Sequence, residues 1–122
     1  MSKTILIIED EMLLRRPMAI KLESEGFTVL EGQNGKTGLD IALAAHPDLI
    51  LLDILMPEMD GIEVLKKLRG DVWGKTAKVV VLTHLNNMEK IAEAAEYGAK
   101  EYIVKSDIKL DDLTEKVKTV LA

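Results

Sequence analysis

Five polar residues stand where short apolar runs end. Glu9 and Asp10 follow Ile5 to Ile8, Asp53 follows Leu49 to Leu52, Thr83 follows Val79 to Leu82, and Lys105 follows Tyr102 to Val104. If those run ends lie side by side, three carboxylates, a hydroxyl and an ammonium share one site. Two carboxylates about 5 Å apart repel by about 3 kcal/mol at an effective dielectric of about 20, so such a cluster needs cations. Lys105 supplies one positive charge, and a divalent ion neutralises what remains on Glu9, Asp10 and Asp53. Hard oxygen donors with no His or Cys beside them favour Mg2+, or Mn2+ as a substitute, over zinc. A carboxylate beside a metal, a hydroxyl and an ammonium matches the demands of phosphoryl transfer: a nucleophile, neutralised phosphoryl oxygens and oriented donors. Asp53 is the natural nucleophile.

Taken singly, each residue has a plainer explanation. Glu9, Asp10 and Glu11 suit a helix N-terminus, where acids oppose the dipole. Asp53 can be a strand-end acid, Thr83 a turn hydroxyl and Lys105 a solvated charge. The joint pattern distinguishes the two accounts, because chance would have to act at four run ends.

The elements that position these residues are legible from periodicity. Ile5 to Ile8, Phe27 to Leu30, Leu49 to Leu52, Val79 to Leu82 and Tyr102 to Val104 are short apolar runs of the kind that form buried strands. Apolar residues at three- and four-residue steps fill the intervals, ending with Leu110, Leu113, Val117, Val120 and Leu121, and these are amphipathic helices. Asn34 is placed to cap the second helix, Asp60 the third and Asn86 or Asn87 the fourth, while Gly26 and Gly98 mark the ends of the first and fourth. Pro17 falls inside the first helical pattern, so that helix starts late, near Leu14, or kinks early. The loop from Arg69 to Ala77 holds Trp73 between Gly70 and Gly74, which reads as an aromatic pinning a loop. Strands alternating with helices imply parallel pairing through right-handed crossovers, with helices on both faces of the sheet. The expected architecture is a three-layer doubly wound (βα)5 α/β domain. With sheet order 2-1-3-4-5, the first and third strands are central, and Glu9, Asp10 and Asp53 converge with Thr83 and Lys105 on one flank.

Composition narrows the alternatives. The 122 residues suit one domain, and 16 Lys and Arg against 21 Asp and Glu leave a net charge of −5 without a basic stripe, which disfavours direct nucleic-acid binding. Base-stacking platforms also lose support, because the aromatics are only Phe27, Trp73, Tyr97 and Tyr102. The chain has no cysteine, hence no disulfides or thiolate metal sites. Neither a signal-peptide core nor a membrane-length apolar run is present, so no membrane association and a cytoplasmic location are expected.

The run Ile-Ile-Glu-Asp-Glu, the stretch Leu-Leu-Asp-Ile-Leu-Met-Pro-Glu-Met-Asp-Gly over 51–61, then Thr83 and Lys105 resemble a response-regulator receiver domain of two-component signalling, of the single-domain, chemotaxis-regulator-like kind. The likeness spans essentially the whole chain, and the separations of Asp53, Thr83 and Lys105 suit the family. It implies a flavodoxin-like fold and a phosphorylation-dependent switch rather than a classical enzyme. Asp53 would accept a phosphoryl group from a phosphohistidine on a sensor histidine kinase or histidine phosphotransfer protein. Asp10 and Asp53 would bind Mg2+ directly, Glu9 through water, and the backbone carbonyl of Leu55 would complete the protein's share. Thr83 and Lys105 would each hold a phosphoryl oxygen, and Tyr102 would turn inward when Thr83 moves. The face built by the fourth helix, fifth strand and fifth helix would change. Its surface around Ile91, Ala95, Tyr97 and Tyr102 is the candidate for a downstream target or a phosphorylation-dependent homodimer, although core packing accounts for many of the same residues.

Three departures matter. Ser106 follows Lys105 where the family usually has proline, so no cis peptide is expected there. His84 follows Thr83 where the family favours a small residue; it either screens the phosphoryl group or is an incidental loop histidine. Leu55 and Leu85 occupy positions that tune phosphate lifetime in the family, and their apolar side chains predict slow self-dephosphorylation.

Other functions fare worse. An aspartate-nucleophile phosphatase would carry a second Asp at Leu55. A flavodoxin-like cofactor binder would need a hydroxyl- and glycine-rich loop in place of Glu9-Asp10-Glu11, and the dinucleotide-binding glycine pattern is missing. The stronger rival is an unphosphorylated pseudo-receiver acting as an interaction module. Five βα units use the sequence through Ala122, so a single receiver domain over 1–122 without an output domain is expected.

Overall fold

The computed structural model describes residues 2–84, 88–106 and 109–122. Five parallel strands, β1 (Thr4–Ile8), β2 (Thr28–Gly32), β3 (Leu49–Asp53), β4 (Val79–Thr83) and β5 (Glu101–Val104), form one sheet in the order β2-β1-β3-β4-β5. The helices are α1 (Met12–Ser24), α2 (Gly35–Ala45), α3 (Gly61–Arg69), α4 (Met88–Glu96) and α5 (Leu110–Leu121). This is the expected doubly wound topology.

Strand alternation builds the layers. Leu6 and Ile8 of β1, with Ile50, Leu52, Val79 and Val81, pack under α2, α3 and α4, while Ile5 and Ile7, with Leu49, Leu51, Val80, Leu82 and Ile103, pack under α1 and α5. Successive side chains of a strand point to opposite faces, so continuous apolar runs can serve both layers at once. Continued past the strand ends, the same alternation directs Glu9, Asp53 and Lys105 toward the α1/α5 side.

Helix boundaries follow local chemistry. The Asn34 side chain accepts from Thr37 N at 2.7 Å and Asp60 from Glu63 N at 2.9 Å, as expected of N-caps. Gly26 and Gly98 take φ of +97° and +82° just past α1 and α4, a conformation costly for residues with a Cβ. Asn86, Asn87 and Leu85 lie outside the described residues.

Two expectations are corrected. Helix α1 starts at Met12, not near Leu14, because Glu11 is extended and its carbonyl accepts from Leu14 N at 3.0 Å and Arg15 N at 2.9 Å. Pro17 therefore sits in the second turn, inside the helix. Strand β2 runs on to Gly32 rather than stopping at Leu30, since parallel pairing with β1 continues through Ile7↔Glu31 and Ile8↔Gly32. Its end thus carries an acid, Glu31.

The Arg69–Ala77 connection contains a short 3-10 turn, Gly74–Thr76, and is fixed by Arg69, which donates to the carbonyls of Gly74, Ala77 and Tyr97 at 2.7, 2.8 and 2.6 Å. Trp73 stacks on His46, ring centroids 4.5 Å apart, and packs against the core. That is the pinning role expected of it.

Candidate functional site

The carboxyl ends of β1 and β3 are adjacent, with Ile8 paired to Leu52, so Glu9 and Asp53 emerge side by side. Both are buried, and Lys105, nearly as buried, reaches them from the end of β5. Its Nζ lies 2.6 Å from Glu9 Oε1 and 3.2 Å from Asp53 Oδ1. The other Glu9 oxygen accepts from Glu11 N at 3.1 Å, and Asp53 Oδ1 accepts from Leu55 N at 3.3 Å. Asp53 Oδ2 is buried and has no hydrogen-bond partner among the described residues. Such an atom is costly unless a cation or donor meets it.

Among the described residues, Glu9, Asp10 and Asp53 form a cluster in which one carboxylate oxygen from each lies within 4.8 Å of the others. All three are hard oxygen donors, and one of them is the orphaned residue. This set fits Mg2+. Burial drives the Asp53 carboxyl up to about 8, the Glu9 carboxylate adds to the rise, and Lys105 opposes it. Burial pulls the Lys105 ammonium down, but its hydrogen bond to Glu9 and the charges of Asp53 and Glu9 together raise it above the ordinary lysine value. The ammonium is thus firmly charged, and Asp53 holds its proton more tightly than an ordinary aspartate because it is buried beside a second acid.

The loop after β3 holds Asp53 in place. Gly61 N donates to the Ile54 carbonyl at 2.7 Å, and a Cβ at Gly61 would run into the Asp53 carbonyl oxygen and lie 2.8 Å from Ile54 Cα. Glycine is therefore required where α3 begins. Glu58 takes φ of +68° in the same loop.

Thr83, buried at the end of β4, pairs with Val104, and its carbonyl accepts from Lys105 N at 2.7 Å. Tyr102 is partly buried against the α4 side of the core, beside a cavity of about 140 Å³ lined by Val81, Ile91, Ala94, Ala95 and Tyr102 among others. Lys116 Nζ lies 5.9 Å from the centre of its ring. The Leu55 side chain is half exposed. Glu9, Asp10, Asp53 and Lys105 therefore meet at one edge of the sheet, and Thr83 stands at the same edge, joined to Lys105 through its backbone.

Five contacts there escape sequence reasoning. Glu11 makes no capping bond with its side chain; its carboxylate lies 2.9 Å from His84 Nε2, linking the loops after β1 and β4. Arg15 donates to the Glu9 carbonyl at 2.8 Å and to Glu31 at 2.9 Å, and Arg16 pairs with the same Glu31. The Lys105–Ser106 region adds a Ser106 hydroxyl bond to the His84 carbonyl at 3.4 Å. No spacing in one sequence announces such pairs, since each depends on which strand lies next to which.

The order of the strands and an acidic pocket at their carboxyl ends define a doubly wound domain of the chemotaxis-regulator type. The family model for the response regulator receiver domain matches residues 5–118, and the chain belongs to that family. It is 40% identical over 105 residues to the transcriptional regulatory protein SrrA of Staphylococcus aureus, a match that covers 86% of this chain and 42% of SrrA. The chain thus spans less than half the length of that relative. Among solved structures, the chemotaxis protein CheY4 of Vibrio cholerae superposes with a TM-score of 0.92 at 27% identity, over 98% of this chain and 99% of that one. A CheY-like receiver domain protein from Methanospirillum hungatei gives 0.91 at 30% identity, over 99% and 94%. Phosphorylation-dependent two-component signalling is the general role of this family, and no helix among the described residues is long and apolar enough to cross a membrane.

Proposed function

We propose that this chain is a switch set by phosphorylation of Asp53, with a phosphohistidine on a sensor histidine kinase or histidine phosphotransfer protein as donor. The observation that carries the proposal is the buried, unpartnered Oδ2 of Asp53 beside Glu9, Asp10 and the Lys105 ammonium. An Asp53 oxygen forms the new P–O bond as the P–N bond breaks, and the donor imidazole leaves with the electron pair. Glu9, Asp10, Asp53 and the Leu55 carbonyl are the groups that would hold Mg2+. Bound there, the ion would neutralise the phosphoryl oxygens and lower the proton affinity of Asp53. Lys105, already beside Asp53, would hold one phosphoryl oxygen and the Thr83 hydroxyl another, stabilising charge without reorganising water.

The phosphorylated Asp53 carries added negative charge and acceptor oxygens that draw Thr83 and Lys105 toward it. Thr83 and Tyr102 stand on neighbouring strands, Tyr102 being paired with Val81, so movement of Thr83 frees space beside the Tyr102 ring. The population then shifts at the face of α4, β5 and α5, where a downstream protein or a second copy would read it. A cytoplasmic setting follows from a kinase donor of this class.

Incubation with acetyl phosphate, with and without Mg2+, followed by intact-mass measurement tests the proposal. The expected result is a gain of one phosphoryl group that requires Mg2+ and disappears in Asp53→Asn. No gain under any small or protein donor would leave only a pseudo-receiver interaction module.

A further inference from the structure

We propose that Arg15 is a positioning residue for the metal centre, acting through the backbone of the Glu9–Asp10 peptide; this rests on the metal-dependent reading above. Arg15 is the fourth residue of α1 and its side chain is only 11% exposed. Its Nη1 donates to the Glu9 carbonyl oxygen at 2.8 Å while its Nε donates to Glu31 Oε1 at 2.9 Å. The guanidinium therefore ties the first turn of α1 to the end of β2 and to the peptide that joins the two acids.

The rest of that turn is held at other points. Glu9 N donates to the Gly32 carbonyl at 3.1 Å, and the Glu9 carboxylate is taken by Lys105 and by Glu11 N. Asp10 differs: among the described residues no hydrogen bond or ion pair holds its carboxylate, although one of its oxygens falls within the 4.8 Å cluster. The backbone sets the direction in which its Cα–Cβ bond leaves the chain. The orientation of the Glu9–Asp10 peptide fixes where the Asp10 side chain leaves the chain, and Arg15 holds the carbonyl of that peptide. Arginine suits this task because its planar fork serves two acceptors at once, which one ammonium group cannot do in the same geometry.

The charge of Arg15 makes the test decisive. A cation near the cluster repels a divalent ion, so a purely electrostatic influence predicts tighter Mg2+ binding once the charge is removed. Positioning predicts the opposite. Mg2+ affinity is measured by titration calorimetry on the unphosphorylated, full chain, for the native protein, Arg15→Gln, Arg15→Lys and Arg16→Gln. We expect the two Arg15 variants to bind Mg2+ about tenfold more weakly or worse, the size seen when groups behind metal ligands are removed. Arg16→Gln should stay within about twofold of the native protein, since Arg16 reaches Glu31 but not Glu9. Thermal unfolding in EDTA establishes that each variant is folded, and Arg15→Lys serves if Arg15→Gln is not. Native-like or tighter Mg2+ binding in the folded Arg15 variants overturns the positioning role while leaving the metal site intact. Absence of Mg2+ binding in the native chain overturns the metal reading itself, and the positioning role with it.

Discussion

Lys105 Nζ lies 2.6 Å from Glu9 Oε1, a buried ion pair between residues 96 positions apart in sequence. The same ammonium faces Asp53 Oδ1 at 3.2 Å, so one cation serves two acids. The pair ties β5 to β1 across the two strands that separate them.

Replacing Lys105 by Met is therefore expected to destabilise the metal-free protein by about 3–5 kcal/mol, the range for breaking a buried ion pair from one side. Saturating Mg2+ should restore part of that loss, because it binds the acids left without a partner. Urea unfolding with EDTA and with Mg2+ measures both effects. A loss below about 1 kcal/mol in EDTA would show that water already reaches these carboxylates.

Asp53 gives the metal-free protein an unusual pH dependence. Its carboxyl, normally near 3.8, is raised to about 8 by burial and by Glu9. Between those values the folded chain keeps a proton that the unfolded chain has released. The stability this proton confers is complete below the unfolded value and is lost as pH rises through the folded one, with a slope of at most about 1.4 kcal/mol per pH unit. Unfolding free energies from pH 5.5 to 8.5 in EDTA should fall for the native chain relative to Asp53→Asn. Parallel profiles would refute the shift.

Gly61→Ala brings a methyl group against the Asp53 carbonyl and Ile54 Cα. Neither is a flexible side-chain end, so the strand end itself must move. The expected cost is about 1–3 kcal/mol, with a roughly tenfold or greater drop in phosphorylation rate because the nucleophile is displaced. Chemical denaturation and timed intact-mass measurement read the two quantities. Normal phosphorylation kinetics in this variant would contradict the fit described for the loop.

Leu55 presents a half-exposed apolar side chain two residues after Asp53 and offers no group to hold an attacking water. Phosphorylated protein freed of donor should lose its phosphoryl group over minutes or longer, and Leu55→Asn should shorten that lifetime several-fold. A native half-life of seconds, followed by mass spectrometry, would refute this.

The sequence by itself located the strands, apart from the far end of β2, because apolar runs such as Leu49 to Leu52 are short and continuous in the manner of buried β-structure. It also offered the groups on which the proposed hard-metal phosphoryl chemistry rests, since acids, a hydroxyl and an ammonium stand at the strand ends. The Asn34 and Asp60 caps were legible for the same reason, since a cap acts within three residues.

Pro17 shows where local rules stop. Proline disfavours a helix interior, yet α1 encloses it, as Met18, Ala19 and Leu22 just beyond it bury completely or nearly so against the sheet. Only the tertiary structure decided which acid Lys105 meets most closely, that β2 extends to bring Glu31 to Arg15, and that Glu11 turns to His84 rather than capping α1. These are contacts between chain segments brought together by strand order. Periodicity fixes which side of a strand a residue faces, but the distance between two faces on different strands exists only once the sheet has closed its register.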